Sequence, residues 1–304
     1  MMRVLLTGAT GFIGSNCLPL LLEAGYEVHA VAPDGVEPGD ARACWHTADL
    51  LDSTQIHTLM DEVRPSHLLH FAWFVAPGEF WRSTENLRWL QSGLDLAREF
   101  ADAGGIRSVM AGTCAEYARS TEPVAEGVTP LRPSTLYGAC KTALHVSSSA
   151  YLAERGVSSA WGHIFYLYGP RERPGRLVPS VVHALTEGDT FVCEHPDDVR
   201  DFLHVEDVGN AFVALLGSQV EGAVNICSGE ATRVGDLVAT VAEAAGRPDL
   251  VEYRSTEAGA SWIVGDSGRL RNDVGWSARF ALREGVAATV ALEMEQRLRK
   301  EAQR

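Results

Sequence analysis

The sequence predicts an α/β protein, a Rossmann-type doubly wound parallel sheet with a smaller mixed α/β C-terminal substrate domain. Three observations predict it. The run Thr7-Gly8-Ala9-Thr10-Gly11-Phe12-Ile13-Gly14 joins an apolar stretch at 4–6 to another at 17–22, which reads as buried strand, glycine turn and helix. Strand-like and helix-like runs alternate through the first half, the pattern of a parallel sheet covered on both faces. After Tyr168 the texture changes to a loop rich in turn formers and arginine, Gly169-Pro170-Arg171-Glu172-Arg173-Pro174-Gly175-Arg176.

The elements follow in order. Strands are expected over 4–6, 28–32, 67–72, 108–111 and 159–165, and helices over 14–24, 53–63, 84–103 and 137–155. Beyond the change of texture, helices are expected near 178–187, 210–216, 234–245 and 282–300, with one more buried strand at 223–227. Residues 1–165 are expected to form the dinucleotide-binding domain, with 200–228 returning to it. Residues 166–199 and 229–304 are left for substrate binding.

The 304 residues are 46% hydrophobic and 22% charged, a composition that suits a soluble globular chain with a sizeable core. No uninterrupted apolar stretch has the length of a membrane helix. The first strand starts at Arg3, which leaves no space for a signal peptide, so a cytoplasmic location is expected. The net charge of −14 disfavours nucleic acid and anionic membranes as partners. Small anionic ligands stay open, because local arginines and helix ends can bind them. The six cysteines form no C-x-x-C pair, so neither zinc nor a redox motif is indicated, and no spacing suggests a metal site.

The glycine turn lets backbone approach a pyrophosphate and aims free N–H groups and the positive end of a helix at it. Gly8, Thr10, Gly11, Phe12, Ile13 and Gly14 are therefore the first cofactor-binding candidates. Tyr137 and Lys141, four residues apart, share a helix face. A neighbouring ammonium favours phenolate, which would lower the tyrosine pKa toward acid/base range, and the lysine can also bond a ribose. Thr113 ends a strand at the edge where parallel sheets bind ligands. There it can hold a substrate oxygen beside Tyr137, or cap the turn that follows.

Together these signals resemble the extended short-chain dehydrogenase/reductase family, the group of nucleotide-sugar epimerases, dehydratases and reductases. Residues 7–14 resemble its T-G-x-x-G-F-I-G motif, and Ala48-Asp49-Leu50 resembles its D-L pair. Leu69-His70-Phe71-Ala72-Trp73 stands where the family has H-L-A-A. Tyr168-Gly169-Pro170 and the run from Arg200-Asp201-Phe202 to Asp207-Val208 resemble its Y-G-P and R-D-F-x-x-V-x-D-V signatures. The resemblance implies that Asp49 and Leu50 meet the adenine, while Phe71, Ala72 and Trp73 line the cofactor. It implies hydride transfer, with Tyr137 exchanging the proton, Thr113 orienting the sugar oxygen and Lys141 holding the ribose. It assigns the substrate diphosphate to Arg200. Arg171 and Arg176, in an arginine-rich loop that also reads as simply solvated, and Trp73 and Tyr166 are further candidates for substrate contact from their own chemistry. It also implies a homodimer through helices 84–103 and 137–155.

The departures from the family decide between reactions. Cys114 and Ala115 replace the Asp-Glu pair of 4,6-dehydratases, and Glu116 lies one residue late, on the other face if the strand continues. Ala32 replaces the acidic residue that binds ribose hydroxyls, Asp34 comes two residues later, and Arg42 follows in the next loop. This favours NADP(H) as cofactor, with NAD(H) possible. Tyr166 replaces an asparagine, which changes the diphosphate contact. Trp73, Phe74 and Trp81 make the pocket aromatic, either to stack on a base or sugar or to fill a core or dimer contact. His70 and His204 read as structural. The expected function is NAD(P)H-dependent C4 ketoreduction of a nucleotide-linked 4-keto-6-deoxyhexose. The alternatives are a C4 epimerase that retains NAD and a non-catalytic NADP-sensing or scaffold protein.

Overall fold

The protein is described here by a computed structural model covering residues 2–254 and 259–301. The first half alternates as β1 (Arg3–Thr7), α1 (Gly14–Glu23), β2 (Glu27–Ala32), β3 (Cys44–Thr47), α2 (Ser53–Val63), β4 (His67–His70), α3 (Glu85–Asp102), β5 (Arg107–Thr113), α4 (Leu136–Glu154) and β6 (Ser158–Ile164). There follow β7 (Tyr166–Tyr168), α5 (Leu177–Glu187), β8 (Phe191–Cys193), β9 (Val199–Arg200), β10 (Phe202–His204), α6 (Val205–Gly217) and β11 (Gly222–Ile226). The chain closes with β12 (Thr232–Arg233), α7 (Val234–Ala244), β13 (Val251–Tyr253), β14 (Trp262–Ile263), α8 (Gly268–Asn272) and α9 (Leu282–Glu301).

Seven strands form one sheet in the order β11-β6-β5-β4-β1-β2-β3, parallel throughout. The strand order reverses between β1 and β4, so the crevice beyond their C-terminal ends is the switch point where such sheets take ligands. Alternate residues of each strand feed opposite faces. Val4 and Leu6 pack with α1 and α6 residues such as Leu21 and Phe212, whereas Leu5 packs with residues of α2 and α3 such as Ile56 and Phe100. A separate core of Val181, Leu237, Val241, Val286 and Val290 joins α5, α7 and α9.

The edge strand β3 escapes the sequence reading because its four residues are at least partly exposed and lack alternation. Three other features correct it. β4 stops at His70, and β6 ends at Ile164, one residue short of the expected end. Thr113 does not lead into more strand, because a single 3-10 turn, Cys114–Glu116, follows it.

Two buried aspartates tie the C-terminal layer to the sheet. Asp201 accepts hydrogen bonds from the Ser228 N–H and hydroxyl and from the N–H groups of Gly229 and Gly265. Asp207 accepts from the N–H groups of Arg279 and Phe280, just ahead of α9. Among the described residues no helix is long and apolar enough to cross a membrane.

Candidate active site

The turn after β1 is built by what glycine lacks. Gly8 has φ +68°, and a Cβ there would lie 2.7 Å from the Ala72 nitrogen. A Cβ on Gly14 would lie 2.1 Å from the Gly8 oxygen. The Gly11 N–H donates to the Gly8 carbonyl at 2.9 Å, and α1 begins behind Ile13 without a side-chain cap. A narrow backbone cradle therefore faces an uncapped helix N-terminus, which fits the pyrophosphate of a dinucleotide. Within it Thr10 is exposed, and Phe12 and Ile13 are half-buried.

The same turn is stitched to the end of β4. Phe71 N–H donates to the Thr7 carbonyl, and the Thr7 hydroxyl meets His70 Nδ1 at 2.7 Å. Burial, and then the Lys141 charge, push the His70 pKa down to about 3, so the ring stays neutral and structural. Asp49 is exposed and caps the Leu51 N–H at 2.9 Å beside buried Leu50.

Thr113, Tyr137 and Lys141 are buried together at the C-terminal end of β5. Thr135 caps α4 by accepting the Gly138 N–H at 3.1 Å. The buried stripe Tyr137, Lys141, Leu144, Ser148 and Leu152 then follows at helical spacing. Lys141 Nζ donates to the Ala111 carbonyl at 2.8 Å and lies 3.9 Å over the Trp73 ring. Burial brings its pKa down to about 7, against the Glu116 charge.

The expected electrostatic coupling is not what this arrangement produces. Burial pushes the Tyr137 hydroxyl up, while Thr113 and Arg176 act in the opposite sense. Desolvation dominates because both side chains are enclosed, and Lys141 is turned toward a strand carbonyl.

Thr113 takes the capping role that the sequence offered and also stands beside Tyr137. Its hydroxyl accepts the Ala115 N–H at 3.2 Å while acting on Tyr137. Cys114 is buried, and its thiol is pushed up to about 12. Glu116 Oε1 accepts from Thr113 N–H and Trp161 Nε1 at 2.9 and 3.1 Å, so that oxygen serves the scaffold.

Three rings stand edge-on around Tyr137: Phe80 at 5.0 Å, Trp81 at 5.7 Å and Trp73 at 6.4 Å. Trp73 donates from Nε1 to Asn86 Oδ1, and Asn86 in turn donates to the Phe80 carbonyl. Trp73 and Phe80 are thus core, and Trp81 is the exposed rim. Phe80 and Asn86 carry no sequence signal beyond their neighbours.

A family model described as the NAD dependent epimerase/dehydratase family matches residues 4–227, a span from β1 to just past β11. The chain belongs to the NAD-dependent epimerase/dehydratase family. Among curated members, a UDP-glucose 4-epimerase of Mycolicibacterium smegmatis is 29% identical over 314 residues, covering 95% of this chain and 97% of that protein. One of Corynebacterium glutamicum is 26% identical, covering 91% of each. The Thermus thermophilus UDP-glucose 4-epimerase, solved in complex with NAD, matches with TM-score 0.85 and 27% identity over 96% of this chain and 99% of that one. The Thermotoga maritima UDP-glucose 4-epimerase, solved with UDP-glucose, shares the fold with TM-score 0.87, at 22% identity over 97% of this chain and 99% of that one.

The family signatures beyond β6 take specific places. Arg200 donates to Asp198 and Ser261 at 2.7 Å and stacks 5.1 Å from the Tyr166 ring centre. These two substrate candidates therefore form one unit. Arg176 lies 5.3 Å over the Phe80 ring, which packs against Tyr137. Arg171 is exposed, with its N–H on Glu293. His204 accepts the Glu206 N–H at the start of α6. Asp34 only caps the neighbouring Gly35 N–H, and Arg42 is paired with Asp40. The fold also gathers Glu116, His145 and His163, whose ligand atoms lie within 4.8 Å of one another. No spacing along the chain marks that group, because its members stand on a turn, a helix and a strand.

Proposed function

We propose that this protein is a C4 epimerase of a nucleotide sugar, of the UDP-hexose class, that keeps NAD bound through turnover. The observation that carries the reading is the buried set of Thr113, Tyr137 and Lys141 beside the glycine cradle. Cys114 and Ala115 offer no acid/base pair for water elimination, which leaves proton and hydride exchange at one carbon. Near-complete coverage of UDP-glucose 4-epimerases supports it. The ketoreductase reading gives way, because several matching structures are epimerases or carry NAD. The preference for NADP gives way with it: Arg42, the candidate for a 2′-phosphate, is held by Asp40.

The cradle of residues 8–14, with Phe71, Ala72 and Trp73, would hold the dinucleotide, and Asp49 and Leu50 would flank its adenine. NAD supplies a hydride acceptor and donor when bound. Tyr137, once ionised by the positive charge that bound cofactor and Lys141 bring beside it, would take the proton from the sugar C4 hydroxyl. It would return that proton to the C4 oxygen after the keto sugar has turned its other face to the cofactor, and that turn is what inverts C4. Thr113 orients that oxygen, and Lys141 leaves Ala111 to hold the ribose. Arg200 and Tyr166 bind the diphosphate side, with Arg171 and Arg176 at the mouth. Residues 1–165 with 200–228 serve the cofactor, and residues 166–199 and 229–304 serve the sugar. The enzyme works as a cytoplasmic homodimer.

Protein purified without additions and then denatured releases stoichiometric NAD, and interconverts UDP-glucose and its C4 epimer with no cofactor supplied. Tyr137→Phe keeps the bound NAD and loses about 10²–10⁴-fold in kcat. An empty site that consumes NADPH with a 4-keto nucleotide sugar would overturn the reading.

A further inference from the structure

The group behind Thr113 is defined by a chain of hydrogen bonds that fixes where lone pairs point. Asn225 Nδ2 donates to the carbonyls of Val124 at 2.9 Å and Asp266 at 3.2 Å, so its Oδ1 faces the Tyr117 hydroxyl at 2.7 Å. Tyr117 donates its one proton there. His163 Nδ1, 2.9 Å from the same hydroxyl, must then be the donor to it. The other ring nitrogen, Nε2, is left facing Glu116 Oε2 at 3.5 Å, and His145 Nδ1 faces that same oxygen at 3.7 Å. None of these three atoms has a hydrogen-bond partner among the described residues.

With Nδ1 as the donor, the Nε2 lone pair of neutral His163 faces the Glu116 carboxylate oxygen, and the two repel unless a cation lies between them. His145 Nδ1 can turn a lone pair to the same point. A shared proton would draw nitrogen and oxygen to about 2.7–2.9 Å. A tetrahedral metal with bonds of about 2.0–2.2 Å spaces its ligands roughly 3.3–3.5 Å apart. The two separations from Glu116 Oε2, 3.5 and 3.7 Å, lie at and just beyond the second geometry and well outside the first, and all three ligand atoms lie within 4.8 Å of one another.

The outer contacts fit it as well. Thr113 N–H and Trp161 Nε1 hold Glu116 Oε1, leaving Oε2 to bind alone. Tyr117 orients His163, and the Trp161 ring stacks on His145 at 4.9 Å and 3°. Such supports are what metal-bound histidines and carboxylates carry. Any Cβ at Gly112 would press within 2.0 Å of Trp161 Nε1 and 2.7 Å of Glu116 Oε1. A cavity of about 520 Å³ adjoins both histidines under the 126–131 loop, with Glu126 and Arg269 on its wall.

We propose that Glu116 Oε2, His145 Nδ1 and His163 Nε2 form a three-ligand site for a divalent first-row transition metal, with zinc the reference ion. The metal ties the turn after β5 to α4 and β6, immediately behind Thr113.

The test uses the full-length, tag-free protein stripped with a chelator and titrated with Co²⁺. Visible d–d bands should saturate at about one equivalent per chain and vanish when Zn²⁺ is added. Tyr117→Phe, which removes only the hydroxyl that orients His163, should weaken binding about 10–100-fold. His145→Ala should abolish the bands, with circular dichroism checking that each variant is folded. Absence of bands in the folded wild-type protein, or His145→Ala titrating like wild type, would overturn the proposal. So would nitrogen-resolved NMR showing both His163 nitrogens protonated while the protein takes up no metal, since the proton would then be the occupant.

Discussion

Glu172 holds a carboxyl oxygen that is buried without a hydrogen-bond partner among the described residues. Burial pushes its pKa up to about 8, against the pull of Arg176 and with the help of Glu293. An ordinary glutamate in the unfolded chain releases its proton near 4.5. Between these values the folded state keeps a proton that the unfolded state has lost, so stability falls as pH rises across that window. Urea midpoints measured at several pH values should show the decline in wild type and a flatter profile in Glu172→Gln. Gly14 gives a second expectation at this scale. The Cβ of Gly14→Ala would meet the Gly8 carbonyl, so, on the proposal that NAD stays bound through purification, the variant should purify with little nucleotide, read by absorbance after denaturation. Thr113, Tyr137 and Lys141 are legible because motif spacing and helix periodicity identify them. His145 is not, although it lies one turn beyond Lys141, because its partners come from elsewhere in the chain. The pKa of Tyr137 runs opposite to the sequence expectation because neighbour spacing is visible in a sequence and desolvation is not.

Among the elements, the helices and the central strands are readable wherever apolar residues keep one period. The short strands of the C-terminal layer are not. β9 pairs with β12 and β14 through Thr232–Arg200 and Trp262–Val199 contacts, and two-residue segments carry no periodicity. The aspartates of the R-D-F-x-x-V-x-D-V run are legible as a signature but not as fasteners. Asp207 is fully buried on the N–H groups of Arg279 and Phe280. Asp207→Ala should therefore loosen α9 and cost about 2–4 kcal/mol, given about 1.5–3 kcal/mol for a hydrogen bond to a charged group. Equilibrium denaturation would measure it. Hydrogen exchange should localise the added opening to α9 and the turn before it.

For the whole molecule, the outer surfaces of α3 and α4 leave apolar side chains uncovered. Leu87 and Leu94 lie two turns apart on α3, and Val146 stands on α4, with 52%, 37% and 59% of their surfaces exposed. If the dimer forms there, the double variant Leu94→Glu/Val146→Glu should run as a monomer in light scattering while wild type runs as a dimer. Melting temperature would show that the fold persists. The sheet itself imposes an order on synthesis. One of its two edge strands, β11, pairs with β6 but is made only after α5 and α6. On the ribosome, the open side of β6 therefore waits with bare amide groups until residue 226 has emerged. Ribosome-bound fragments ending between β6 and β11 should be the form of this chain most prone to self-association and most dependent on chaperones.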